Sequence, residues 1–287
     1  MLMKCSSLVV AVVAVGWFFS AGPVASSAVI TTIFTEDFSD ATLAPGLIAN
    51  ATPTIAGGYV DLNGANGNNT AQGFYLDGIN VASGNIPALT GADGGAGPQG
   101  GGPLVSFIME AVIGPDGVAG SDGLGAAPSS NDVIFSFNGR YGLRFATATN
   151  WSLFARAAGG ASDVNTGIPN SADYPTAGSH VAIVFTDNGA ADTLQYYKDG
   201  VLALSISGDF NRFNIARASW GLEVNTGAPL SRGFNGTFDA ISLATFTGTF
   251  DPAAGDKFVL LVPEPAAGIL GLAACAAARW CRRRGAA

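Results

Sequence analysis

Apolar residues in this chain fall into short runs in which large side chains alternate with small or polar ones. Val181, Ile183 and Phe185 share one face of such a run, and Trp220, Leu222 and Val224 share another. A two-residue period belongs to strands that bury one face and wet the other. The same reading predicts strands over 29–36, 58–62, 73–79, 104–113, 133–138, 141–146, 151–155, 180–186, 193–198, 201–207, 219–225 and 236–246. Between them stand clusters of Gly, Asn, Asp and Pro, the punctuation of turns. No stretch of the body keeps an i, i+3, i+4 apolar pattern, so no sizeable helix is expected there. Asp199-Gly200 separates two predicted strands by two residues, the composition of a type I′ hairpin, and Asn138-Gly139 is a second candidate. The glycine-rich segments 83–103 and 114–130 read as surface loops. The body is therefore predicted to be all-β, an antiparallel two-sheet sandwich.

The two ends are apolar without alternation. Residues 1–28 pass from Lys4 through the apolar segment 8–19 to Ala25-Ser26-Ser27-Ala28. This is the order of a secretory signal peptide, with small residues at Ser26 and Ala28 and the cut expected after Ala28. At the other end Val262, Pro263, Glu264 and Pro265 precede the apolar run 266–281 and the basic cluster Arg282, Arg283 and Arg284. As a single hydrophobic helix that run reaches only ~24 Å against a hydrocarbon core of ~30 Å. It is a short transmembrane span, which Arg279 and the terminal arginines extend by snorkelling. Basic residues beside a span stay cytoplasmic, which leaves everything before Pro263 outside. This tail resembles the PEP-CTERM sorting signal of exported bacterial proteins. The resemblance implies passage through the secretion machinery, cutting near 262–265 by an exosortase-type membrane protease, and a transient membrane stage before the cell surface or extracellular matrix. The chain then divides into a leader (1–28), a body (29–250), a linker (251–261) and a sorting tail (262–287).

Charge is informative once the ends are set aside. The body keeps 8 basic and 20 acidic residues, a net charge of about −12. So acidic a body is unsuited to nucleic acid and to anionic membrane surfaces, and compatible with divalent cations or neutral polysaccharide. Cys5, Cys275 and Cys281 all lie in the end segments, so the body has no disulfide, no thiolate-bound metal and no cysteine nucleophile.

Three stretches of the body carry a second resemblance. Ser179-His180-Val181-Ala182-Ile183-Val184-Phe185, then Leu194 through Leu202 with Tyr197-Lys198-Asp199-Gly200-Val201, then Phe234-Asn235-Gly236-Thr237-Phe238-Asp239-Ala240-Ile241 follow one another in order. They resemble the strands of concanavalin A-like, laminin-G-like jelly rolls, and Phe34 to Ser39 is similar to the first strand of those domains. The resemblance implies two packed antiparallel sheets with the first strand beside the last.

Few side chains here could move protons. His180 is the single histidine, lies in a predicted strand and reads as a packed structural residue; no Gly-x-Ser-x-Gly elbow accompanies it. Of the glutamates, Glu36, Glu110 and Glu223 belong to the body, and none sits in a Glu-x-Asp-x-x-Glu strand of the glucanases that share the jelly roll. No catalytic residue is assigned. Calcium is the one cofactor the acidic loops suggest, with Asp61 and Asn63 in one cluster and Asp187 and Asp192 in another. For sugar recognition Trp151 and Tyr174, which flank loops, are the aromatic candidates, whereas the alternation places Trp220 in the core. The expectation is a non-catalytic exported protein whose lectin-like sandwich contacts extracellular polysaccharide. The alternatives are a glycan-cleaving enzyme on the same fold and a structural matrix component with no specific ligand.

Overall fold

The computed structural model describes residues 27–261, apart from residue 41 and segments 64–70, 78–105, 119–132, 138–140, 148–149, 157–162, 189–190, 211–216 and 224–230. In chain order the strands are β1 (Val29–Glu36), β2 (Leu47–Asn50), β3 (Thr54–Ala56), β4 (Tyr59–Asn63), β5 (Gly73–Asp77) and β6 (Ser106–Val118). There follow β7 (Val133–Phe137), β8 (Tyr141–Thr147), β9 (Asn150–Arg156), β10 (Asp163–Gly167), β11 (His180–Thr186) and β12 (Asp192–Lys198). The last are β13 (Val201–Gly208), β14 (Arg217–Trp220), β15 (Leu222–Glu223), β16 (Ser231–Gly233) and β17 (Asn235–Thr247). All described helical structure is two 3-10 turns, Ser171–Asp173 and Pro252–Ala254.

These strands form the expected pair of antiparallel sheets. The eight-stranded sheet runs β13-β12-β11-β6-β17-β4-β3 with β1 added beside β17; the seven-stranded sheet runs β10-β9-β8-β7-β14-β5-β2. Thus the first strand does lie beside the last, in register from Val29 opposite Thr247 to Glu36 opposite Ile241. The alternation decides which side chains meet between the sheets: Phe107, Met109, Ala111 and Ile113 of β6 and Val181, Ile183 and Phe185 of β11 face Phe135, Leu143, Trp151, Leu153 and Trp220 of the other layer in one core. The hairpin forms as read, with φ of 51° at Asp199 and 78° at Gly200, and Lys198 opposite Val201. The tip Asn138-Gly139 lies outside the described residues, although Phe137 and Tyr141 on either side are paired.

Three features depart from expectation. The segment 114–118, expected in a loop, continues β6, because Gly114 passes so close to β17 that a Cβ there would lie 2.5 Å from Thr237 Oγ1. The run 219–225 is broken at Gly221, whose φ of 75° turns the chain from β14 into β15. Its N–H donates to Ile134 O and its carbonyl accepts from Phe234 N. The third is the supposed linker 251–261, which is part of the domain. Asp251 Oδ1 accepts from Ala253 N at 2.9 Å to cap the second 3-10 turn, Gly255 reverses the chain at φ 108°, and Phe250 and Phe258 are buried against the outer face of the eight-stranded sheet. That face carries Ile108, Ala182, Val184, Tyr197 and Phe246, too apolar to be left in water, and the strap 250–261 covers it. Leader and sorting tail lie outside the described residues; no described helix is long and apolar enough to cross a membrane.

Gly221 is the position where the sandwich tolerates least change. A Cβ there would lie 2.4 Å from Leu62 Cδ1 and would also strain the left-handed backbone. Gly221→Val is expected to cost about 2 kcal/mol or more and to lower the thermal midpoint by ~4–8 °C, read by far-ultraviolet circular dichroism.

Candidate functional site

The aromatic candidates turn out to be fastened into the structure. Trp151 shares its face of β9 with Leu153 and Ala155, and this parity points it between the sheets at 2% exposure. It is a core residue and no sugar platform. Tyr174 follows the first 3-10 turn and is half-buried against the core, with its hydroxyl donating to Asn150 Oδ1 at 2.9 Å. Beside it Tyr196 Oη donates to Asp173 O at 2.7 Å and Lys198 Nζ to Ala172 O at 3.0 Å, so this end of the sandwich is a closed seam. Burial, then the charges of Asp173 and Asp199, push the Tyr196 phenol far up. Trp220 is in the core as expected, edge-on to Phe34 at 5.1 Å.

The two acidic clusters are not brought together. Asp61 is exposed on β4, and Asn63 is the last residue of that strand. Asp187 and Asp192 flank the β11–β12 connection, which in the sheet order lies four strand spacings away, on the order of 19 Å. Asp192 is fully buried and uses its carboxylate on main-chain donors, Oδ1 taking Asn188 N at 3.0 Å and Oδ2 taking Phe210 N at 3.1 Å. Asp187 donates its own N–H to Ser106 Oγ at 3.0 Å. These residues close a turn, the common use of Asp in such connections. No group of three or more His, Cys, Asp or Glu side chains converges among the described residues.

The most elaborate polar constellation is one the sequence reading did not assemble. Glu110 sits at the middle of β6 with its side chain on the outer face, directly opposite Ser242 of β17 and Ala182 of β11. Four donors converge on its buried carboxylate. Oε1 accepts from Ser242 Oγ at 3.1 Å and from Val259 N at 3.0 Å; Oε2 accepts from Leu260 N at 2.9 Å and from His180 Nε2 at 2.9 Å. The same residue is gripped from the core side, where Trp220 Nε1 donates to its carbonyl at 3.1 Å. His180 is buried, packs its ring 5.1 Å from that of Phe258, and has no hydrogen-bond partner for Nδ1. Phe258 in turn touches Tyr197 and Phe250 edge-on at 5.2 and 5.0 Å. This is a clamp: two successive main-chain N–H groups of the strap are received by one carboxylate, with an aromatic plug beside it. Glu36 acts in the same manner, taking Phe38 N at 2.9 Å and Ala44 N at 2.6 Å to shape the loop after β1. The signal in the sequence was an acid amid the apolar run Phe107 to Ile113, next to a strand bearing the lone histidine.

The opposite outer face has another character. Reading the registers across the seven-stranded sheet, Tyr75, Ser219, Ser136, Gly142 and Phe154 form one row. Phe74 and Leu76 point into the core, so Tyr75 points out; it is half-buried beside exposed Ile48. At the other side the Arg144 guanidinium lies 4.2 Å from the centroid of Phe154. Hydroxyls, a phenol and a guanidinium stacked on a ring are groups that meet polyols well.

No family model matches the chain, and no curated protein matches it. Among solved structures, it is similar to peanut lectin with 12% identity over 78% of this chain and 100% of the lectin, at a TM-score of 0.45. It is also similar to the CBM2 module of the evolved Dit of Lactobacillus casei BL23 phage J-1, with 11% identity over 79% and 100% of the two chains and a TM-score of 0.43. The CBM40 of Ruminococcus gnavus IT-sialidase, solved bound to alpha2,3 sialyllactose, follows at 10% identity, 68% and 91% coverage and a TM-score of 0.37. The fold assignment rests on the strand order itself.

Two outcomes test the clamp. Glu110→Gln keeps the shape but puts an amide N–H₂ against donors, which costs about 2 kcal/mol locally and speeds hydrogen exchange at Val259 and Leu260 by ~30-fold. Alkali should loosen the same region. Burial and then the nearby charge of Asp251 push the Tyr197 phenol up to about 12. The unfolded chain therefore loses that proton first, and stability falls as pH rises from the ordinary tyrosine range near 10 towards 12. In Tyr197→Phe the alkaline fall, followed by denaturant titration at each pH, should be shallower.

Proposed function

We propose that this chain is an exported, non-catalytic surface protein, sorted through its PEP-CTERM-like tail, whose sandwich presents the outer face of the seven-stranded sheet to extracellular polysaccharide. The observation that carries the proposal is the placement of the two ends. Ser27 bridges to Thr249, and the strap ends at Leu261, so both ends of the described chain lie with the covered outer face of the eight-stranded sheet. The tail motif 262–265 begins at the next residue. A protein held on that side, first by a membrane span and later by whatever the sorting protease leaves, has the Tyr75 face turned away from its attachment. Secretion machinery and an exosortase-type membrane protease are the partners this route requires, and nucleic acid is not among them. Buried carboxylates that receive main-chain N–H groups favour a holding role over proton transfer.

Polysaccharide is favoured because the presented face offers hydroxyl and aromatic groups while the net charge is strongly negative, which suits neutral glycans and repels anionic polymers. Retention of the processed protein on insoluble neutral polysaccharides, with and without calcium, tests this. Tyr75→Ala is expected to weaken retention about tenfold with no change in circular dichroism. Absence of binding under both conditions would leave a structural matrix component as the reading, and release of reducing sugar would leave an enzyme.

A further inference from the structure

We infer that Asp256 is the seat of the mature amino terminus, and that processing leaves Ala28 as the first residue of the exported protein. The inference rests on the export route proposed above. The N–H of Ala28 points between the two carboxylate oxygens of Asp256, 3.2 Å from Oδ1 and 3.3 Å from Oδ2. An amide has a single N–H to divide between two acceptors, whereas an ammonium has three and can serve both. Asp256 is itself held in place, since its Oδ2 accepts from Asp251 N at 2.8 Å within the strap. Ala28 is half-buried and packs with Ile30 and Leu261 against the apolar cluster beneath the strap.

The folded body accordingly begins one residue earlier than a cut after Ala28 would allow. Such a cut removes both the partner of Asp256 and a piece of the cluster. Moving it one bond upstream places Ser27 and Ala25 at the two positions that need small side chains, so the same leader serves. What is lost is an isolated bridge from Ser27, an exposed residue, to Thr249. Water hydrolyses the Ser27–Ala28 peptide bond; the new carboxylate leaves with the leader, and the amine remains on Ala28, protonated at neutral pH. The charged amine then joins the start of the chain to the strap that leads into the sorting tail, so leader removal tightens the clamp on the opposite end.

Expression of the full chain with its own leader in an exporting bacterium, followed by mass spectrometry of the intact amino terminus, tests this. The expected first residue is Ala28. A start at Val29, or at Ser27 or earlier, overturns the inference and leaves export standing; a chain that keeps residue 1 overturns both. A thermodynamic cycle gives a second readout. Asp256→Asn should lower the midpoint of a chain that begins at Ala28 by about 2–4 °C more than that of one that begins at Val29. Equal shifts in the two backgrounds would also overturn it.

Discussion

A carboxylate in the middle of an apolar sheet face has to be given donors, and the architecture around Glu110 follows from that requirement. The outer face of β6, β11 and β17 is built of Ile108, Ala182, Val184, Ala244 and Phe246, which cannot remain in water, and Glu110 among them cannot be buried alone. The strap 250–261 answers both needs, with Phe250 and Phe258 covering the apolar positions and the N–H groups of Val259 and Leu260 completing the carboxylate's partners. Because Trp220 of the other sheet bonds to the same residue's carbonyl, the clamp is tied through the sheet to the core. Removing Glu110's acceptors would leave unpaired donors beneath the strap, a larger cost than the bonds themselves contribute.

This arrangement makes the two outer faces unequal. One is apolar, closed by the chain's own end, and holds both termini together through Asp256 and the first residues of β1. The other carries Tyr75, a row of small residues and the Arg144–Phe154 stack. A sandwich with its polypeptide ends gathered on one side is suited to being attached there and presented from the other. No moving part is required, and the tail can be handled one residue beyond the docked strap without opening the core.

Where backbone and side-chain period agree, the sequence was legible. The long strands β1, β6, β11, β12, β13 and β17 were read from alternation, and the Asp199-Gly200 turn from its need for positive φ. The strands that escaped, β2, β3, β10 and β16, are three to five residues long and exist because a neighbour offers them hydrogen bonds. Trp151 and Tyr174 were misread because adjacency to a loop says nothing of parity on the strand, and parity sends Trp151 inward. Residues 251–261 looked like a linker because their apolar side chains are too sparse to show a period; Phe250 and Phe258 acquire meaning only beside a face formed far away in sequence.

The sequence by itself determined the all-β class, the central pairing order, the absence of thiol chemistry in the body and the apolar character of the two ends, since these depend on composition and local period. Tertiary structure alone decided that Glu110, His180, Ser242 and the strap form one clamp, and that Asp61 and Asp192 lie apart. Contacts between residues separated by 70 to 150 positions leave no local trace in a chain, because each partner is chosen by the sheet register that brings it into reach.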